Sequence, residues 1–183
     1  MSKRTFSMHE RYSSPKSSSW GGTVDGTRTT GRTFVKHQSS SGTIFSLQLC
    51  PGHRKPMQTV EHAETTVNLG LNGDRHALPD SSRQILLMEK EVLDLLGLVP
   101  AQVKENITTT GISLMALRHN DRLKIGDDVM LEITKECAPC GRMEEIRPGL
   151  LRELAGRRGM LARVVHGGNI RRNDHIVLLP MQS

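Results

Sequence analysis

Two thiols and a guanidinium stand close together in Cys137-Ala-Pro-Cys140-Gly-Arg142, on the exit of a β-patterned run from Val129 to Thr134. With three cysteines in 183 residues the chain cannot build a disulfide framework. No secretory signal is read at its start, so a reducing, cytoplasmic setting is expected. Cysteine at such a turn then serves as a soft metal ligand, a nucleophile or half of a redox pair. C-x-x-C outside a thioredoxin-like βαβ pattern is a weak redox signal. Cys50-Pro51-Gly52-His53 is a second Cys/His turn, and the two together would make a Cys₃His zinc set. A small buried hydrophobe is the ordinary alternative for any one of these thiols.

The elements that must hold these residues are read from periodicity. Thr43 to Leu49 alternates as a strand, ended by the Cys50-Pro51-Gly52 turn. Thr59 to Leu69 is a second, more polar strand, followed by a Gly70 to Asp74 loop. Gln84 to Met88 is a short apolar run of the buried-strand type. Met88, Val92, Leu95 and Leu96 follow at helical spacing, with Gly97 as the stop. Glu105 to Thr110 is strand-like, and Arg122 to Ile125 turns through Gly126-Asp127 into Val129 to Thr134 as a hairpin. Gly149 to Ala155 reads as one short helix, and Met160 to Val165 and Ile176 to Leu179 as the last strands. The sum predicts a mainly β fold with short helices, an α+β arrangement in which a β-barrel carries helical insertions.

Composition narrows the partners. The net charge is +6, but residues 1–42 hold seven Lys/Arg against two Asp/Glu, and the remainder eighteen against seventeen. The basic character belongs to the Ser/Thr/Gly-rich tail, read as disordered over residues 1–42. The folded part, residues 43–180, is nearly neutral, which argues against nucleic acid. Aromatics make up 3% of the chain, so Leu, Ile, Val and Met must build the core. No apolar run reaches the ~20 residues of a membrane span.

Six pieces in order, Gly73-Asp74-Arg75-His76, Glu105-Asn106-Ile107-Thr108, Lys124-Ile125-Gly126, Cys137 to Arg142, Pro148-Gly149-Leu150 and Val164 to Ile170, resemble the MOSC family, the molybdenum-cofactor sulfurase C-terminal domain, in its short stand-alone bacterial form. The resemblance implies a MOSC-type β-barrel of mostly antiparallel strands. It also implies that one cysteine, Cys140 by position, ligates the molybdenum of the molybdopterin cofactor or carries sulfur. Family members include reducers of N-hydroxylated bases and amidoximes, and domains attached to cofactor sulfurases. The pyridoxal-phosphate domain of the large sulfurases has no counterpart here, so no pyridoxal phosphate is expected. Where the family reads Gly-Asp near the C-terminus, this chain has Asn173-Asp174, and asparagine tolerates the positive φ such a turn needs.

On that resemblance Cys140 is the catalytic residue and metal ligand. Cys137 is a bystander lining the pocket. Asn106, in a strand, needs a partner for its amide: a pterin edge, a metal oxo group or a neighbouring backbone group would each serve. Arg75 and His76 lie in the loop that the family places beside the pocket. Arg54, Lys55, Arg75, Arg142 and His166 form the pool of donors for the cofactor phosphate. Gly167-Gly168 is either a close-approach site for that phosphate or a turn. The implied activity is reduction of an N–O bond in a small-molecule substrate, with electrons from a partner protein. The alternative is a non-catalytic cofactor or persulfide carrier working with a sulfurase partner.

Overall fold

The computed structural model describes residues 39–180. Its elements are β1 (Ser41–Leu49), β2 (Gln58–Val60), β3 (His62–Thr66), β4 (Gly70–Leu71), β5 (Ile85–Glu89), α1 (Lys90–Leu95), β6 (Ile107–Thr110), β7 (Arg122–Ile125), β8 (Val129–Glu136), α2 (Arg142–Ile146), α3 (Leu150–Glu153), β9 (Met160–His166), β10 (Gly168–Arg171) and β11 (His175–Leu178). Seven strands close a barrel in the order β1, β6, β5, β9, β8, β7, β11 and back to β1. Only β5 and β6 run parallel; the other barrel neighbours are antiparallel. The predicted barrel therefore forms, with three short helices on it.

Closure depends on β1. One edge of this strand pairs with β6, while the other pairs first with β11 through Ser41 to Thr43 and then with β2 through Leu47 to Leu49. The barrel thus begins before residue 43, the expected boundary. Ser113 N–H bonds to Ser39 O and Leu178 N–H to Ser40 O, so these serines belong to it too. A Ser-Ser-Ser-Gly run has no apolar period to announce a strand; only the backbone pairing with β11 makes it one. The tail reading otherwise lies outside the described residues. Deleting residues 1–42 is expected to lower the melting temperature measurably below that of a 1–38 deletion, because it cuts Ser41 and Gly42 from the closing pair. Paired thermal melts of the two truncations check this.

The barrel interior follows the period-two pattern. Ile44, Leu47, Ile85, Leu87, Ile107, Leu123, Ile125, Leu131, Ile133, Ala162, Val164 and Ile176 are all fully or almost fully buried in one cluster. Each such aliphatic side chain contributes about 1.5–3 kcal/mol over exposure. A second cluster, Met88, Leu93, Leu98, Val103, Met143, Leu150 and Leu154, docks the helices on the barrel's outer side. Met88 itself belongs to β5, and the helix expected to start there begins only at Lys90.

The expected Thr59 to Leu69 strand divides into separate pieces. β2 stays on the barrel edge, whereas β3 joins β4 and β10 in a small second sheet. The Gly167-Gly168 pair serves this junction: a Cβ at Gly167 would lie 2.6 Å from Thr65 O, so the glycine lets two backbones meet. Asn173 takes φ 70° in the last turn, as its tolerance for that region leads one to expect. No helix among the described residues is long and apolar enough to cross a membrane.

Candidate functional site

Cys137 and Cys140 face different surroundings. Cys137 is buried against Leu86 and Leu161 on the outer wall of β5 and β9, its N–H donated to Gly159 O. Cys140 is exposed, and its carbonyl accepts from Met143 N–H as α2 begins. Arg142 makes no ion pair or side-chain hydrogen bond among the described residues and stands two positions from the exposed thiol.

Cys137 has a partner that sequence spacing did not suggest. Arg158, 6% exposed, turns Nη1 to Cys137 Sγ and donates Nη2 to Val103 O at 2.8 Å. The next residue, Gly159, lets the chain pass close against β5: at φ 86°, a Cβ there would sit 1.9 Å from Leu87 O. Glu105 lies near the same guanidinium, fully buried, accepting from Ala101 N–H at 2.6 Å and Thr108 Oγ1 at 3.1 Å. Burial pushes the Glu105 carboxyl above its ordinary value, and these bonds and Arg158 only partly offset that. Glu105 Oε2 and Arg158 Nε have no hydrogen-bond partner among the described residues.

A raised carboxyl binds its proton more tightly when folded, so its contribution to stability is lost as pH rises from about 4.5 through the folded-state value. Glu105→Gln is therefore expected to remove that decline and to melt no lower than the parent at neutral pH. Melts of both chains across acidic to neutral pH test this; a variant that keeps the same slope would assign it elsewhere.

A continuous set of contacts runs from Cys137 to the Gly73–His76 loop. Leu86, packed on Cys137, donates its N–H to Asn106 Oδ1 at 3.1 Å. Asn106 Nδ2 gives one hydrogen to Asp74 Oδ2 at 2.8 Å and the other to Gln48 O at 3.3 Å. Asp74 also accepts from Cys50 N–H at 2.6 Å, His76 N–H at 2.7 Å and His76 Nδ1 at 2.8 Å. Burial would raise the Asp74 carboxyl, but the His76 side chain and the two backbone N–H groups hold it below its ordinary value. Its contribution to stability is thus present above about pH 3.8 and lost as pH falls through the lower folded value.

Both hydrogens of the Asn106 amide are spent on protein acceptors. Asn106→Ala would leave Leu86 N–H without its acceptor, at about 1–3 kcal/mol if unpaired, and would take one donor each from Asp74 and Gln48 O. A large drop in the denaturation midpoint is expected, and a near-neutral change would show that this amide does not tie the loops together.

The Cys50–Lys55 turn closes the group. Arg75 N–H bonds to Cys50 O, and its Nη1 meets His53 Nδ1 at 3.1 Å. Arg54 reaches Glu145 on α2 at 3.7 Å, and Lys104 Nζ donates to Lys55 O at 2.7 Å. Arg54, Lys55, Arg75, His76 and Asn106 are thereby linked to the cysteine segment. His166 is not. It bonds to Asp128 O at the far end of β9, the strand's length of roughly 20 Å from Gly159. The zinc set is not assembled either, since Cys50 Sγ turns to Gly52 O and His53 to Arg75. Among the described residues no three His, Cys, Asp or Glu side chains gather around a point.

The family model for the MOSC domain matches residues 74–177, more than half of the chain and both cysteines of the segment. The chain belongs to the MOSC family. Its barrel superposes on the YuaD protein of Bacillus subtilis with a TM-score of 0.67 at 19% identity, covering 78% of this chain and 97% of that one. YiiM of Escherichia coli gives 0.57 at 18%, covering 79% and 71%, and YiiM of Geobacillus stearothermophilus 0.60 at 16%, covering 76% and 75%. These likenesses establish the MOSC fold. No protein of curated function matches the sequence.

Within this MOSC barrel a cleft of about 760 Å³ lies away from the cysteines. It is formed on the outer face of β7, β8 and β9, where Glu132 is clamped between Arg122 and Arg163. Cys140 lines neither this cleft nor the smaller one around His62 and Arg171. Its thiol is exposed two positions before Arg142, and Arg54 of the Cys50–Lys55 turn reaches Glu145 on the helix that follows.

Proposed function

We propose that this MOSC chain holds the molybdenum cofactor through Cys140 and reduces the N–O bond of small N-hydroxylated molecules, with electrons from a partner protein. The observation that supports this most directly is the exposed Cys140 thiol, carried on a segment anchored by buried Cys137 and followed by Arg142, which has no ion-pair partner among the described residues. A single soft sulfur donor with several guanidinium and ammonium groups nearby suits a thiolate-bound metal on a phosphorylated pterin. Arg142, Arg54, Lys55 and Arg75 would take the phosphate. When bound, the cofactor supplies the two-electron chemistry that removes oxygen from nitrogen.

The protein's share is orientation and proton supply. His76 is fixed through Nδ1 on Asp74 and half-exposed, and its Nε2 has no partner among the described residues. That arrangement leaves Nε2 able to deliver a proton to an oxygen leaving the substrate, in the manner of a carboxylate-oriented imidazole.

A second reading is favoured by the open position of Cys140. An exposed sulfur that lines neither of these two clefts is well placed to be handed on, as a carrier of cofactor or persulfide would require, with a sulfurase as partner. Metal and sulfane sulfur counted per chain, on protein from a host that makes the cofactor, separate the two. Molybdenum near one per chain with N-hydroxy reductase activity upholds the first reading. Sulfane sulfur without metal replaces it by the second.

A further inference from the structure

On the outer face of the barrel one row of three side chains crosses three strands. Arg122 on β7 and Arg163 on β9 each stand directly opposite Glu132 on β8 in the strand register. Arg122 gives Nε and Nη2 to Glu132 Oε2 at 3.4 and 3.3 Å, and Arg163 gives the same edge to Oε1 at 3.0 and 2.6 Å. The Glu132 side chain is only 7% exposed, whereas those of Arg122 and Arg163 remain 49% and 48% exposed. Burial would raise the Glu132 carboxyl, but Arg163 and Arg122 hold it below its ordinary value, so it is ionised at neutral pH. An ordinary cross-strand ion pair matches one cation to one anion. Here two guanidiniums share one carboxylate, and one positive charge is left over.

That surplus charge lies in the cleft of about 760 Å³. The volume falls within the roughly 300–1,000 Å³ typical of small-molecule sites. With Nε and Nη2 turned to Glu132, each arginine keeps its Nη1 group for another acceptor, and neither Nη1 has one among the described residues. Met130, Leu179 and Pro180 supply an apolar wall beside them. Leu179 is held there by its N–H, which donates to Arg122 O at 2.8 Å.

We propose that this cleft binds a small organic monocarboxylate with an apolar body, its carboxylate taken by Arg122 and Arg163 and its hydrocarbon part laid on Met130, Leu179 and Pro180. Glu132 is the positioning residue: it pins both guanidiniums before the ligand arrives, so less side-chain freedom is lost on binding. A monoanion cancels the surplus charge and suits the guanidinium edges. A phosphate dianion would exceed it, beside the Glu132 carboxylate, and would leave the apolar wall uncovered. The site lies away from Cys140 and needs no cofactor, so it stands or falls independently of the function proposed above.

The full-length protein, titrated with 4-phenylbutyrate and followed by backbone amide NMR, is expected to show saturable shifts at Arg122, Met130, Arg163 and Leu179, with a Kd at or below about 1 mM. The uncharged amide of the same acid should bind about tenfold more weakly, and inorganic phosphate should cause no saturable shift at these residues. Arg122→Gln should weaken phenylbutyrate by about tenfold, and Arg171→Gln, in the other cleft, should leave it unchanged. Should Arg122→Gln fail to fold, Met130→Glu, which adds a second carboxylate to the cleft, should weaken binding in its place. Equal affinity for acid and amide, tighter binding of phosphate, unchanged affinity in the folded cleft variant, shifts centred on Arg54, Arg75 and Arg142, or no saturation in the millimolar range would each overturn the site.

Discussion

Cys140→Ser is expected to fold like the parent and to retain no molybdenum when made in a cofactor-competent host. The exchange nearly preserves shape at an exposed position, so little packing is at stake. It replaces a soft sulfur donor by a hard hydroxyl that resists deprotonation, and the metal preference follows the donor. Loss of N–O reduction and of any sulfur load should accompany loss of metal. Cys137→Ser should melt earlier, since a buried sulfur packed on Leu86 and Leu161 becomes a hydroxyl, yet a serine oxygen still accepts from the Arg158 guanidinium. Per folded chain that variant should keep most of the metal. The two variants must be compared in one host, with metal and sulfane sulfur counted on soluble protein. Equal loss in both would mean that the pair acts as a unit, and loss confined to Cys137→Ser would move the ligand to the buried sulfur.

The second large effect lies in a glycine. Gly159→Ala places a Cβ 1.9 Å from Leu87 O, against the backbone of a central strand, at φ 86° where alanine is already strained. Neither side can yield without separating β9 from β5. A loss of at least ~3 kcal/mol is expected, or a fall of ~6–12 °C in melting temperature for a domain of this size. Gly156→Ala is the control: its φ is also positive, but nothing lies within 4 Å of the added carbon, so only the backbone strain of about 1 kcal/mol applies. Similar melting of the two variants would show that the Leu87 contact is relieved by an easy shift.

Residues with a strong local signature were legible before any coordinates. Val129 to Thr134 and Thr43 to Leu49 alternate, and both are barrel strands. β10 carries one buried apolar residue, Ile170, in four, so its pairing with β3 is decided by tertiary contact alone. α2 is similar: five residues with two adjacent glutamates show no helical period, and Met143 docking in the outer cluster selects the helix. The same division holds at the site. Cys137, Cys140 and the Gly73–His76 loop were visible as motifs. Arg158 was hidden in Arg157-Arg158 beyond two helices, with no periodicity to single out the buried one. Asp74 was placed only as the end of a loop, and its side chain is sealed from solvent as the acceptor for two loops. Asn106 announced that it needed a partner but not which one, because that depends on where Gln48 and Asp74 arrive.

The first strand and the last are also each other's neighbours. Thr43 pairs with His175, 132 positions later. Two ends so far apart lose much entropy on meeting, and folding slows as contacts become more remote along the chain. During synthesis the ring must stay unzipped at this seam until β11 has left the ribosome. Until then β1 exposes the backbone edge that β11 will cover, a template for pairing with other nascent chains. The seam therefore leaves a newly made chain open to edge-to-edge mispairing until β11 locks into place.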